Sequence, residues 1–380
     1  MKKLTANPFK FGDPVEGDYY LPRPELSASV RKFLENRIHI VLMGPRRFGK
    51  TSFVLDLLKQ LEEEGYSCLF VDIFNITSHR DFLQQLLRAV RSKKTFWDTL
   101  KSRLKQLKQM TPQVSANFDP ATSQTTVNLA LTKLSDEDAK DAIQDLLEKL
   151  SGLGDKVIIA LDEFQKISEI DDDGWLEATL RTHFQKLKNV SFLFTGSRKS
   201  LISKMLNDPS RPLYRSCQII DFPTFGEEFT SWVSDRFSTV GVESDLDAIK
   251  NLRSLVQDTP NYVQMVCFHL VAQAHTHISI TDVEETLEMV ARQNAYAYQT
   301  LLNSLTRAQQ RALRLAANEG QSLFHQELLA KYEIASAPAL HSSIKALKTK
   351  GILDEEGTSR GRVLFDDPLF AFWLRLCLGA

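Results

Sequence analysis

The sequence predicts an α/β fold built on a parallel sheet, followed by a long stretch that is helical only. Three observations carry this. Short apolar runs at 38–43, 67–73, 157–161, 191–194 and 217–221 alternate with longer helical patterns, which is how the strands of a parallel sheet and their crossover helices read. Between the first run and its helix stand Gly44, Pro45, Arg46, Arg47, Phe48, Gly49, Lys50 and Thr51, which fit G-x-x-x-x-G-K-[ST] at every fixed position. From Pro223 to about residue 350 the pattern is helical throughout.

The strand-loop-helix setting lets the eight-residue motif work as a phosphate-binding loop. Its glycines allow backbone N–H groups to turn toward one point, and the helix beginning at Lys50, Thr51 and Ser52 adds its dipole. Lys50 is placed to reach β- and γ-phosphates, and the Thr51 hydroxyl to ligate Mg²⁺. Arg46, Arg47, Phe48, Pro45 and Ser52 are counted with the nucleotide-binding residues because they belong to the same loop.

The chain has 380 residues, enough for two or three domains each with its own core. Hydrophobic content of 43%, charged content of 25% and a net charge of −1 describe an ordinary globular protein, so any basic surface is local. No apolar run is long enough to span a bilayer and the start lacks an apolar targeting core, so a cytoplasmic protein without membrane contact is expected. Cys68, Cys217, Cys267 and Cys377 lie far apart, without C-x-x-C spacing; core thiols are expected rather than zinc ligands or disulfides.

Residues 1–36 form an N-terminal arm ending in a helix opened by Arg23-Pro24-Glu25-Leu26. By composition the arm is either packed on the surface or a lid over an adenine. The first strand, loop and helix run to Gly65, and Ser67–Ile73 reads as a second buried strand. Residues 80–108 read as a basic helical stretch containing Phe96 and Trp97, either a solvated face or a polyanion-contacting surface. Alternation on both sides of Asp119-Pro120 predicts a β-hairpin insertion at about 111–131, and an acidic helix follows at about 135–151.

Val157-Ile158-Ile159-Ala160-Leu161 empties into Asp162 and Glu163. After a phosphate-binding loop, this pattern predicts a Walker B strand, with Asp162 holding Mg²⁺ and Glu163 polarising the water that attacks the γ-phosphate. The next strand delivers Thr195, Gly196, Ser197 and Arg198 to the same edge, where Thr195 and Ser197 are candidate sensors and Arg198 a candidate catalytic cation. Arg215, ahead of the fifth strand, is a candidate γ-phosphate or finger arginine; the alternative is a salt bridge at a sheet edge. Residues 223–299 predict a helical lid with helices at Glu227–Phe237, Leu246–Gln257, Tyr262–His275 and Thr281–Ala297, the last capped by Thr281 with Glu284. Pro260 lies at a helix boundary that could touch the nucleotide. Residues 300–380 predict three helices and a β-hairpin, a winged helix whose third helix carries His341, Lys345, Lys348 and Lys350 and whose wing carries Arg360 and Arg362. The apolar tail Pro368–Leu374 is expected to dock on the core or on another subunit.

From Asn7 to Trp373 the chain resembles STAND-class ATPases of the AAA+ P-loop superfamily, the group of archaeal-type prokaryotic ATPases. The resemblance rests on Asn7-Pro8-Phe9, Phe11-Gly12-Asp13-Pro14-Val15-Glu16-Gly17 and Arg23-Pro24-Glu25-Leu26, on Gly196-Ser197 and on Leu213-Tyr214-Arg215. It implies an ASCE-type five-stranded core sheet at 37–222, an arm whose Val15 and Arg23 lie by the adenine, and Pro260 packing on the base. It departs from the family where a Gly-x-Pro is expected and Asp258-Thr259-Pro260 stands. Its functional implication is an ATP- and Mg²⁺-dependent switch, closed with ADP and opening or oligomerising with ATP, with a protein partner or self-association. The alternatives are a DNA-binding AAA+ protein of origin-recognition-like plan and a nucleotide-stabilised scaffold without turnover.

Overall fold

The computed structural model describes residues 6–93, 113–119, 124–130, 134–150, 154, 156–354 and 363–378, with backbone alone for 113–119 and 124–130. By its internal contacts the chain divides into two units. One holds residues 23–43 and 53–222; the other holds 1–22, 44–52 and 223–380.

The first unit is organised on a five-stranded parallel sheet, β1 (Ile40–Met43), β2 (Ser67–Asp72), β5 (Val157–Asp162), β6 (Val190–Gly196) and β7 (Gln218–Asp221), in the order β2-β5-β6-β1-β7. All residues of β1, β5 and β6 are buried, as strands covered on both faces by helices must be. The register sets Met43 beside Gly196 and Asp221, and Leu161 beside Phe194, so these strands finish at one edge. Helix α1 (Pro24–Glu35) starts with proline in its first turn, where a missing N–H costs nothing, and packs on β1 and β6. Helix α2 (Lys50–Glu63) follows the loop after β1, and Gly65 ends the connection at φ 89°. Helices α3 (His79–Ser92) and α4 (Asp136–Leu150) pack together through Phe82, Leu86, Val90, Ile143 and Leu147. The expected basic helix thus begins as α3, and its reach over 94–108 lies outside the described residues. The expected hairpin is β3 (Gln113–Asp119) paired antiparallel with β4 (Gln124–Ala130). Helices α5 (Trp175–Lys186) and α6 (Lys199–Asn207) also belong to this unit.

In the second unit, α7 (Glu227–Ser238), α8 (Leu246–Leu255), α9 (Pro260–Ala272) and α10 (Ile280–Gln293) form the helical lid, joined by the two-residue parallel pair β8 (Glu243–Ser244) and β9 (His277–Ile278). Helix α9 is apolar nearly all round and runs through its middle, burying Tyr262, Val263, Val266, Cys267 and Leu270. Two expectations are corrected. Helix α10 is capped by Ser279 with Asp282, not by Thr281 with Glu284, because β9 ends at Ile278 and leaves Ser279 extended at the helix entry. It also stops at Gln293, and α11 (Ala295–Asn303) starts anew after Asn294.

The winged helix consists of α12 (Arg307–Glu319), α13 (Gln326–Lys331), α14 (Ala337–Thr349) and a single antiparallel bridge between Leu353 and Phe365. Thr306 and Gln309 form a capping box at α12, and Ser336 caps α14. The wing tip with Arg360 and Arg362 lies outside the described residues. The apolar tail is α15 (Pro368–Leu378), whose Leu369, Phe370, Trp373 and Leu374 are buried, as expected. Lid, winged helix and Phe9 of the arm share one continuous cluster of buried apolar residues. Of the four cysteines Cys68 and Cys267 are buried, but Cys217 is only half-buried and Cys377 is exposed near the end of α15, against the expectation of four core thiols. No helix among the described residues is long and apolar enough to cross a membrane.

Candidate functional site

The two units each carry a set of the predicted functional residues. In the second unit, the loop 44–52 has left-handed backbone at Arg47 (φ 65°) and Gly49 (φ 86°). Alternation of this kind turns successive N–H groups to one side and makes an anion-binding nest. Lys50 is buried and its Nζ donates to the carbonyls of Gly44 (2.9 Å) and Pro45 (2.7 Å), so the ammonium is held inside the loop it serves. Phe48 is buried, and Thr51 lies in the first turn of α2. Ser52 Oγ accepts from the Val15 N–H at 2.8 Å, tying the arm to the loop. The arm itself is seated on the lid: Phe9 is 1% exposed against Phe237 and Trp232, Asn7 donates to the Phe268 carbonyl, and Gln264 bonds both Lys10 N and Tyr19 O. The arm is thus packed on the lid through both apolar and polar contacts.

The loop's two arginines face the winged helix. Arg47 donates to the Tyr262 hydroxyl and lies over its ring, and Tyr262 in turn donates to Asp367 Oδ1 at 2.7 Å. Asp367 Oδ2 accepts from Tyr298 at 3.1 Å, while Oδ1 also takes the N–H groups of Leu369 and Phe370 and so caps α15. Arg46 Nη1 is 3.8 Å from Asp366. Burial, then the Asp367 charge, pushes the Tyr262 and Tyr298 hydroxyls far up, so both remain proton donors. Burial also raises Asp366, with Arg46 and Arg47 pulling the other way. Beside this corner Gln257 Oε1 accepts from Phe365 N, and the turn Gln257-Asp258 is left-handed at both residues. Pro260, the first residue of α9, is buried just beyond it.

In the first unit, β5 ends in Asp162, buried and accepting from the Thr195 hydroxyl at Oδ1. Glu163 is left-handed (φ 62°), which swings it off the strand line. Its N–H reaches Asp162 Oδ1 (3.2 Å), and its Oε2 accepts from Ser197 Oγ (2.8 Å) and from Gln165 Nε2. Thr195, Ser197, Asp162 and Glu163 are thus gathered as expected. Arg198 is not part of this group and pairs with Glu169 at 3.4 Å. Arg215 is left-handed (φ 50°) with its guanidinium over the Tyr214 ring, and Arg23 lies over Phe222 at 4.5 Å.

The hydroxyl of Thr51 and the carboxylate of Asp162 are each hard oxygen donors, the chemistry that Mg²⁺ takes. Among the described residues a further cluster, His79, Asp171 and Asp173, has ligand-like spacing. Its carboxylates are committed elsewhere: Asp171 accepts the Leu176 and Glu177 N–H groups and Asp173 pairs with Lys140 at 2.8 Å.

Asp366, Asp367 and Gln165 were missed by sequence reasoning, and Tyr262 was met only as part of the helix boundary around Pro260. Asp367 before Pro368 is a recognisable helix start, but nothing local says what it faces.

The strand ending in Asp162 is separated from the strand leading into the phosphate loop by β6, which is the ASCE sheet order. Residues 34–205 match the family model described as "AAA domain", and residues 296–376 the one described as "Probable winged helix domain". The architecture is that of an AAA+ P-loop ATPase. Among solved structures, the chain is similar to a Walker-type ATPase of Pyrococcus abyssi, with TM-score 0.63, 21% identity, and coverage of 94% of this chain and 97% of that one. It is also similar to the ORC2 protein of Aeropyrum pernix in its ADPNP-ADP complexes (TM-score 0.52, 14% identity, 94% of each chain). The ORC1 protein of the same organism in complex with DNA gives TM-score 0.52 and 16% identity over 95% of this chain and 94% of that one. At these identities the likeness concerns the fold. No curated protein sequence matches the chain.

Proposed function

We propose that this AAA+ protein is an ATP-binding, Mg²⁺-dependent ATPase whose nucleotide state sets the position of its winged helix, a conformational or assembly switch of the STAND type. The observation that carries this reading is the engagement of Arg46 and Arg47, both inside the phosphate loop, by Asp366 and by Tyr262 with Asp367. Arginines in such a loop are natural partners of phosphate oxygens. Here they are also joined to the carboxylates at the start of α15, so a change at one is felt at the other. Lys50 and the loop N–H groups would hold the phosphates, Thr51 and Asp162 the Mg²⁺, and Glu163 would orient the attacking water. Bound Mg²⁺ would supply charge neutralisation on the β- and γ-oxygens. Val15, Arg23 and Pro260 are assigned to the nucleotide-binding set, Thr195 and Ser197 to sensing, and Arg198 or Arg215 to the γ-phosphate or to a neighbouring copy, on sequence grounds.

ATP can shift the two-state equilibrium only by as much as it binds one state better, so the test is a direct one. Sedimentation velocity of the full chain without nucleotide, with ADP and with a non-hydrolysable ATP analogue should give at least two distinct species, and the Asp366→Asn/Asp367→Asn variant should stay in one whatever is added. A single unchanged species for the wild type in all three conditions sinks the switch.

A second reading, a DNA-binding ATPase, has one observation behind it. Helix α14 exposes His341 and Lys345, is followed by the exposed Lys350 and contains no acidic residue. If that face contacts duplex phosphates, together with Lys348 and the wing arginines, log affinity should fall against log salt with a slope of roughly −4 to −5.

A further inference from the structure

We propose that Gln165 is a positioning residue for Glu163, holding that carboxylate by one oxygen so that it presents a fixed orientation to water. This deepens the ATPase reading and rests on it. Three groups form a closed triangle. The Gln165 amide donates to Glu163 Oε2 and, at 3.3 Å, to Ser197 Oγ; the Ser197 hydroxyl donates to the same Glu163 Oε2 at 2.8 Å. The donor count closes, since the amide has two N–H bonds and the hydroxyl one, and each is used once.

Three further features show that the fold is arranged to keep the amide there. Gln165 is 2% exposed, although it follows the strand end by only three residues. Its Oε1 is buried without a hydrogen-bond partner, so the orientation that serves Glu163 is kept although it leaves an acceptor unsatisfied. Flipping the amide would set Oε1 against the carboxylate oxygen. Finally, the amide lies against Gly196: a Cβ there would come 2.7 Å from Gln165 Oε1 and overlap Ile202 Cδ1. The glycine that closes β6 therefore makes room for the glutamine, and the next residue, Ser197, supplies the third corner.

The left-handed turn at Glu163 explains why a clamp is needed. The residue has left the strand, its side chain is not packed into the sheet core, and its Oε2 contacts are what define its direction. A carboxylate free to rotate would sample many orientations, and an orienting group loses its effect steeply with misplacement.

The experiment uses the full chain. Steady-state ATP hydrolysis and binding of a fluorescent ATP analogue are measured for wild type, Gln165→Met, Ser197→Ala, Ser197→Thr, Glu163→Gln and the double variant Glu163→Gln/Gln165→Met. Methionine keeps the length and buried volume of glutamine and removes both donors. The proposal expects kcat in Gln165→Met to fall at least tenfold with KM and analogue affinity within about twofold of wild type. In the Glu163→Gln background the same substitution should cost less than about twofold, because a residue acting through Glu163 has nothing left to position. Native kcat in Gln165→Met overturns the proposal, as does a raised kcat, which would mean that the amide holds Glu163 away from water. Full additivity in the double variant overturns it too, since the effect would then be general to the fold. If Gln165→Met fails to fold, the serine pair decides: Ser197→Ala must lower kcat and Ser197→Thr, which keeps the hydroxyl, must restore it. A wild-type chain that binds the analogue but does not hydrolyse ATP overturns the ATPase reading and the proposal together. A hydrolysing wild type with indifferent glutamine and serine variants overturns the proposal alone.

Discussion

Asp258 occupies a left-handed position (φ 55°) that glycine takes without strain and that the resembled family fills with glycine. Its carboxylate is gripped by Arg253 through Nε (2.6 Å) and Nη2 (3.1 Å), and Arg253 also ties down Gly226, Thr230 and Phe225. The strain is thus offset by a two-pronged, partly buried ion pair. Asp258→Ala keeps the strain and loses the pair, and should cost about 2–3 kcal/mol; Asp258→Gly, which relieves the strain, should cost roughly 1 kcal/mol less. Urea denaturation midpoints would rank the two. His39, just before β1, is a second residue with a readable energetic signature. Burial pushes its imidazole down to about 4, against a bond to the Phe184 carbonyl that pulls upward and with Arg181 adding to the fall. Nδ1 accepts from Phe192 N, so the ring serves as a neutral acceptor. A folded value below the unfolded 6.5 means that the unfolded chain takes up the proton first. His39 therefore leaves stability untouched above pH 6.5 and subtracts about 1.4 kcal/mol per pH unit between 6.5 and 4. His39→Gln should flatten that segment of a stability–pH curve. At the phosphate loop, Lys50→Ala should abolish turnover and weaken ATP binding at least tenfold, since each charge-assisted phosphate contact is worth roughly 1.5–3 kcal/mol. Glu163→Gln should still bind and accumulate unhydrolysed ATP, seen in a filter-binding assay as retained γ-phosphate.

At the scale of the element, the start of α10 separates two sequence patterns that look alike. Ser279-Ile280-Thr281-Asp282 and Thr281-Asp282-Val283-Glu284 both offer a hydroxyl followed three residues later by an acid, and only the pairing of β9 with β8 selects the first. Ser279→Ala should therefore cost about 1 kcal/mol and Thr281→Ala less than about 0.5 kcal/mol, measured as thermal midpoints. This is also where legibility in the sequence ends. Strands β1, β5 and β6 and helices α3 and α14 announce themselves because apolar periodicity and breakers are local properties. The carboxylate strand was readable for the same reason, since Asp162 and Glu163 follow their apolar run directly. Gln165 was not, because its role depends on Gly196 and Ser197, more than thirty positions away, meeting it across the sheet edge. Asp366 and Asp367 were hidden likewise: their partners Arg46, Tyr262 and Tyr298 come from three other parts of the chain. Helix α15 was foreseen to dock, from composition alone, and its burial now gives a magnitude. Trp373, 3% exposed and close to Tyr298 and Phe370, should cost about 3–5 kcal/mol when replaced by alanine.

Across the whole molecule, the second unit joins sequence segments that the domain plan keeps apart, the arm, the phosphate loop, the lid and the winged helix. The apolar cluster shared by the lid, the winged helix and Phe9 means that lid and winged helix should unfold together, so separate calorimetric transitions for the two are not expected. The three cysteines other than Cys377 have thiols pushed well up by burial, Cys68 and Cys217 to about 12, and so are slow to form the reactive thiolate. Cys377 stands exposed on the far turn of α15, ten residues beyond the Asp367 that caps it. The native chain therefore carries its own attachment point for a thiol-reactive dye or spin label, on the very helix whose first turn is tied to the phosphate loop. Movement of that helix on nucleotide addition could be followed in the unmodified sequence, without engineering any residue into or out of it.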